Sequence, residues 1–193
     1  THGVEGFCGS GVQIGMMAQG WHRRRPPNVA LLLTHAINPH GFAWIRRVNE
    51  DNVDLNRNFG PPGVPLPVNA GYAEIHRWVI PEDIDGPRRA EADAALEQYR
   101  QQHGDRAMHQ AMAGGQYAYP DGVFYGGTGP TWSNRLLHAL IDTHLGQARR
   151  FCFLDIHTGL GPMGYGEASY VGRPTDADFE ECQRWFGPDV TWL

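Results

Sequence analysis

Two short runs of consecutive apolar residues stand out against stretches in which apolar positions recur at helical spacing. Residues 29–33 and 151–154 form these runs, a pattern typical of strands covered on both faces, and the second predicted strand extends to residue 156. Helical spacing and proline, threonine and glycine boundaries predict helices at residues 4–18, 87–103, 131 or 133 to 145, and 175–185. Residues 190–193 predict a third strand. The alternation predicts an α/β fold, a central, mostly parallel or mixed sheet flanked by helices that is incomplete at both ends.

Length and composition narrow the function classes. A chain of 193 residues predicts one domain over 1–193 with a substantial core, and no apolar stretch approaches the roughly 20 residues that cross a bilayer. The net charge is −5 and the one basic run is residues 23–25, so we expect neither a nucleic-acid partner nor a membrane. The sixteen basic residues are all arginine, which excludes P-loop and Schiff-base lysine chemistry within the chain. Three scattered cysteines favour a reducing, cytoplasmic compartment.

The candidate chemistry begins at the start of the chain. His2 and Glu5 stand three residues apart, which places an imidazole and a carboxylate on one side of a single turn. Such a pair alone is more typical of a solvated helix face, but His157 directly follows the predicted strand at 151–156, where a buried strand would open onto a cleft. Two histidines and one glutamate leave zinc an open fourth position, as catalytic zinc requires.

A polar loop lies between these candidate ligands. It carries the segments NPHG at 38–41, RRVN at 46–49 and VDLNRNF at 53–59, and we expect a loop this polar to be held by its own hydrogen bonds. With the His-x-x-Glu pair and the distant histidine, this order resembles the M14 zinc carboxypeptidases. Four further segments resemble the DUF2817 branch of that group: GVEGF at 3–7, VNEDNVDLNR at 48–57, FYGGT at 124–128 and HTGLGP at 157–162.

The resemblance implies one zinc ion per chain, held by His2, Glu5 and His157. It also implies that Arg47, or alternatively Arg46, faces the developing oxyanion. Asn56 and Arg57 would receive a substrate carboxylate, for which the planar fork of an arginine is suited.

The activity that the resemblance implies is hydrolysis of an amide bond next to a substrate carboxylate by metal-activated water, in a small peptide. A deacylase of N-acyl amino acids, like the aspartoacylase and desuccinylase relatives, would use the same ligands and stays an alternative. A non-catalytic zinc-binding or ligand-binding module is the rival from another class.

Two departures from the family pattern bear on these expectations. His40 stands where the wider family has aspartate; the position shapes a turn, so we expect little effect on chemistry. The family's catalytic glutamate lies several tens of residues beyond the third zinc histidine, so the general base is expected from sequence outside these residues. Glu167 is the nearest acidic substitute, interpreted as a loop residue. We expect the parent protein to extend in both directions.

Overall fold

A computed structural model describes residues 3–61, 63–159 and 162–192. These residues fall into two compact units, Thr1–His157 and Thr158–Leu193. The helices are α1 Gly6–Ala18, α2 Trp21–Arg24, α3 Pro39–Trp44, α4 Ala70–Val79, α5 Pro87–His103, α6 Asp105–Ala113, α7 Trp132–Leu145 and α8 Ala177–Phe186. A 3₁₀ helix spans Leu55–Arg57, and the strands are β1 Ser169–Tyr170 and β2 Thr191–Trp192. None of the helices described is long and apolar enough to cross a membrane.

The first unit contains a three-helix layer in which α4, α5 and α6 pack against one another. Helix α4 begins where the Asn69 side chain accepts a hydrogen bond from the Tyr72 N–H at 2.9 Å, which caps one of the free donors of a helix start. Tyr72 and Ile75 are three residues apart on the buried face of α4, and Ala111 of α6 is also buried. This layer supplies a firm support for the loops that follow α6.

The predicted helices agree well with those observed. Helix α5 has the predicted bounds, 87–103, and ends at Gly104, while α7 begins after Thr131, whose hydroxyl accepts a hydrogen bond from the Asn134 N–H. Helix α1 begins two residues later than predicted, and α8 covers 177–186. The short helix α3 was predicted as loop, and α4 and α6 were not predicted.

The described residues contain one small sheet. Its strands β1 and β2 are parallel, with Ser169 opposite Thr191 and Tyr170 opposite Trp192, which confirms part of the predicted third strand. The runs at 29–33 and 151–156 lie outside the helices and strands. We expected them to be covered on both faces, but most of their side chains are exposed, Cys152 among them, because no neighbouring strand is paired with them in the described ranges. The central sheet and the single domain over 1–193 stay predictions.

Candidate active site

Glu5 and His157 are brought together although 152 positions separate them. Glu5 occupies the position before the first turn of α1, and its side chain is only 14% exposed. Its Oε2 atom is buried and has no hydrogen-bond partner, yet it lies 2.8 Å from Nδ1 of His157. The two atoms are therefore adjacent without the alignment of a hydrogen bond, and they form an ion pair when the ring is protonated. His2 lies outside the described residues.

Asp155 contacts the other side of the His157 ring. Its Oδ2 lies 3.0 Å from Nε2 of His157, and this hydrogen bond is the main cause that raises the pKa of the imidazole, with burial opposing it. When Nε2 donates to the carboxylate, the neutral ring keeps its lone pair on Nδ1, the atom that faces Glu5. A carboxylate behind a metal-binding histidine is a common arrangement in zinc proteins.

Two of the three predicted metal ligands lie within the described residues, and their chemistry suits a metal ion. Among residues 3–61, 63–159 and 162–192, no three histidine, cysteine or acidic side chains come together as a metal site. Glu5 and His157 supply two of the three predicted ligands, one carboxylate oxygen and one imidazole nitrogen. A buried carboxylate oxygen without a donor is costly, and a cation at this point would relieve that cost.

The arginine loop is held against the start of α1 by two glycines. Asn38 caps α3 by accepting from the Gly41 N–H at 2.9 Å, and the Val4 N–H donates to the Arg46 carbonyl at 3.1 Å. A Cβ atom on Gly3 would lie 2.2 Å from the carbonyl carbon of Gly41, so the two main chains touch directly. The turn at 38–41 thus joins the metal motif to the arginines.

We expect Gly41→Ala to destabilise the protein by about 1–3 kcal/mol or more, because overpacking forces the main chain to move. The new Cβ would lie 2.6 Å from both the Arg46 carbonyl oxygen and Nδ2 of Asn38. Gly11→Ala is the matched control, since nothing lies within 4 Å of its Cβ position in α1; there we expect a gain of about 0.5–1 kcal/mol. Urea unfolding of both variants measures the difference, and equal stabilities would contradict the close contact.

Arg47 is the arginine of the pair whose side chain forms an ion pair with a buried residue. Its Nε and one terminal nitrogen each lie 3.0 Å from Oδ2 of Asp54, and its side chain is 37% exposed while that of Asp54 is fully buried. Arg46 is exposed and contributes its main-chain atoms to the turn. The geometry therefore favours Arg47 over Arg46 as the functional side chain.

The polar loop is held by its own hydrogen bonds, as predicted. The Oδ1 atom of buried Asn49 accepts from the N–H groups of Asp51 at 3.1 Å and Val53 at 2.8 Å. Nδ2 of Asn52, a residue with a left-handed backbone (φ 59°), donates to the carbonyls of Pro120 and Gly122. These bonds fix the loop that leads into Asp54 and the 3₁₀ helix.

Arg57 is held by main-chain carbonyls. Its Nη2 donates to the Ala113 carbonyl at 2.9 Å, and its stem crosses Gly115 so closely that a Cβ there would lie 2.6 Å from Cδ of Arg57. No carboxylate among the described residues forms an ion pair with Arg57, and its Nε is buried without a partner. Asn56 precedes it as an exposed residue whose N–H donates to Oδ1 of Asp54. Within the described ranges, Arg57 is thus held by a main-chain carbonyl and not by a carboxylate.

Two residues of the site escaped sequence reasoning. Asp54 is fully buried and orients Arg47; its position directly before a helical turn was an available signal, because aspartate caps such turns. Phe124 lies beneath both arginines, with its ring centroid 4.9 Å from Cζ of Arg47 and 5.9 Å from Cζ of Arg57. It is 77 and 67 positions away from them, so local patterns could not indicate the contact.

Glu167, the nearest acidic substitute for the family's glutamate, belongs to the second unit. There its Oε1 accepts a hydrogen bond from the Thr191 hydroxyl at 3.2 Å. It also lies in a segment without helix or strand, as predicted. The bond gives Glu167 a structural role within its own unit.

Comparison with known proteins adds a family but no activity. Neither the curated proteins nor the solved structures contain a match. One family model, described as a protein of unknown function (DUF2817), matches residues 1–192. Because the match covers almost the whole sequence, the chain belongs to the DUF2817 family.

Proposed function

We propose that the protein is a zinc-dependent hydrolase of the M14 carboxypeptidase type, which cleaves an amide bond next to a substrate carboxylate. The observation that supports this most strongly is the buried Oε2 of Glu5, which accepts no hydrogen bond and lies 2.8 Å from Nδ1 of His157. Arg47 and Arg57, which both contact Phe124, would supply the two positive charges that such a site needs.

His2, Glu5 and His157 would hold the ion in this proposal. Zinc, when bound, activates a water molecule and polarises the scissile carbonyl. Asp155 holds the His157 ring with Nδ1 toward Glu5, and because ligands bind metal in their deprotonated form, it also secures the tautomer that can do so.

Arg47 is suited to stabilise an oxyanion. Oδ2 of Asp54 contacts Nε and Nη2 of Arg47, while Nη1 has no hydrogen bond within the described residues. A donor that is fixed in advance and partly shielded from water stabilises developing negative charge without reorganising. Asp54 thus orients Arg47 and leaves the two N–H groups of Nη1 available.

Arg57 is suited to bind the substrate carboxylate, with Asn56 beside it. In the described ranges, a main-chain carbonyl and not a carboxylate accepts from Arg57, so its positive charge is available to a substrate. Charge-assisted hydrogen bonds to carboxylates are about twice as strong as neutral ones. The site then selects substrates whose carboxylate is next to the amide that is cut.

Assays of the zinc-loaded full-length protein on three substrate sets would test the proposal. The sets are peptides with free C-termini, the same peptides with amidated C-termini, and N-acyl amino acids. Release of the C-terminal amino acid from free peptides alone supports the peptidase, and turnover of N-acyl amino acids alone supports the deacylase. Zinc binding without turnover of any set would contradict the hydrolase and support a binding module.

We expect Arg57→Ala to weaken binding of carboxylate-bearing ligands by about 1.5–3 kcal/mol, the worth of a hydrogen bond to a charged group. Affinity for the amidated ligand should change little. Arg135→Ala is the matched control, because Arg135 also donates to a main-chain carbonyl, that of Pro130 at 2.5 Å. Calorimetric titration measures both affinities; an equal loss for free and amidated ligands would show that Arg57 does not bind the carboxylate.

A further inference from the structure

The ring of Phe124 contacts the two arginines that the proposed function assigns to different tasks. Its centroid lies 4.9 Å from Cζ of Arg47 and 5.9 Å from Cζ of Arg57, both within the roughly 6 Å of a cation–π contact. Arg47 is otherwise held by Asp54 and Arg57 by the Ala113 carbonyl. In the parts of the chain that the structure describes, Phe124 is the side chain with a cation–π contact to both.

The main chain holds Phe124 in an unfavourable conformation to make these contacts. Its φ is +53°, a left-handed value that is a clear outlier for a bulky side chain and persists only where the surroundings impose it. The carbonyl of Phe124 accepts from the Gln116 N–H at 3.1 Å, and that of Tyr125 accepts from the Asp54 N–H at 2.7 Å. The second bond joins the ring's own segment to the residue that orients Arg47.

Gln116 and Tyr72 fix the segment from its other side. The Oε1 atom of buried Gln116 accepts from the N–H groups of Ala118 and Tyr119, and the Val123 N–H donates to the Tyr72 hydroxyl at 2.9 Å. Burial raises the pKa of the Tyr72 hydroxyl, which therefore stays neutral. The ring is thus anchored through the three-helix layer rather than through either arginine.

We propose that Phe124 is a positioning residue that sets the placement of Arg47 relative to Arg57, and so makes the site prefer substrates with a carboxylate at one fixed distance from the scissile amide. This inference rests on the proposed function for the tasks of the two arginines. The contact itself does not depend on that function. A purely structural ring would serve equally well as leucine, which has no π face.

Phe124→Leu and Phe124→Tyr separate these roles, because tyrosine keeps the aromatic face and leucine keeps only apolar volume. The first readout is the NMR resonance of each arginine Nε–H group, which a ring close by shifts. We expect Phe124→Leu to move the resonances of both Arg47 and Arg57, Phe124→Tyr to preserve them, and exposed Arg135 to stay unchanged in both variants. Unchanged Arg47 and Arg57 resonances in Phe124→Leu would overturn the inference.

The second readout uses N-acetylglycine and N-acetylglycinamide as probes of the zinc-loaded protein. We expect Phe124→Leu to reduce the preference for the carboxylate probe by about two- to thirtyfold, the range of a cation–π contact, and Phe124→Tyr to restore it. An equal loss for both probes, or no loss, would overturn the positioning role. If the wild-type protein shows no preference, the proposed function fails, and the arginine resonances alone decide whether Phe124 positions both side chains.

Discussion

We expect the zinc content of the protein to fall from one ion per chain to nearly none in His157→Ala. Removing one of three predicted ligands leaves a site that no longer completes a zinc coordination shell, and Glu5 would keep a buried, unpartnered carboxylate oxygen. His144→Ala is the matched control, since His144 lies exposed in the last turn of α7. Metal content after dialysis measures the effect. Equal zinc in wild type and His157→Ala would remove the assignment.

Asp155→Asn gives a graded test of the same site. The variant keeps the size of the side chain but weakens the hold on Nε2 of His157, and losing such a partner lowers metal affinity by about 10- to 100-fold. The zinc dissociation constant should therefore rise while the stoichiometry at saturating metal stays at one. An unchanged constant would show that Asp155 does not support metal binding through His157.

The helices that could be predicted are those whose first and last residues are marked by capping residues, glycine or proline. Gly104 ends α5 with a φ of +85°, and Thr131 caps α7 through its hydroxyl. Helix α3 carried comparable signals, because Asn38 is a cap and Pro39 stands at the first helical position. The segment around α3 is so polar that its composition predicts a loop, and these local signals are outweighed.

The predicted strands show why a local apolar pattern predicts strands less reliably than helices. The runs at 29–33 and 151–156 have the composition of buried strands, but a strand exists only where a neighbour pairs with it. Leu31 is 43% exposed and Phe153 56%, so the described residues do not supply that neighbour. Burial of an apolar run is a property of tertiary context, which composition alone does not determine.

The candidate site shows the same difference between what local sequence indicates and what only tertiary contacts determine. Its residue types and their order were predictable, because imidazoles, a carboxylate and arginines are what metal-assisted hydrolysis needs. The contacts that fix their orientation were not, since Asp54 acts through Arg47 and Phe124 acts across 67 and 77 positions. The candidate groups therefore stay predictions from the sequence, whereas the contacts of Asp54 and Phe124 with the arginines appear only in the structure.

Arg47→Ala is expected to lower kcat of the full-length protein by about 10²- to 10³-fold, the usual cost of removing one donor to an oxyanion. Arg46→Ala is the matched control from the next position: its side chain is exposed, so we expect a change below about fivefold, as for a surface charge. Steady-state kinetics on the preferred substrate of the three sets measures both variants.

Stability must be separated from catalysis, because Arg47→Ala breaks the ion pair of Asp54 while the charge of this buried carboxylate remains, and breaking a buried ion pair is strongly destabilising. The double variant Arg47→Ala, Asp54→Asn removes that charge. If Arg47 stabilises the oxyanion, the double variant regains part of the lost stability and its kcat stays low. Recovery of kcat together with stability would reduce Arg47 to a structural partner of Asp54, and a loss of kcat in Arg46→Ala alone would transfer the oxyanion role to Arg46.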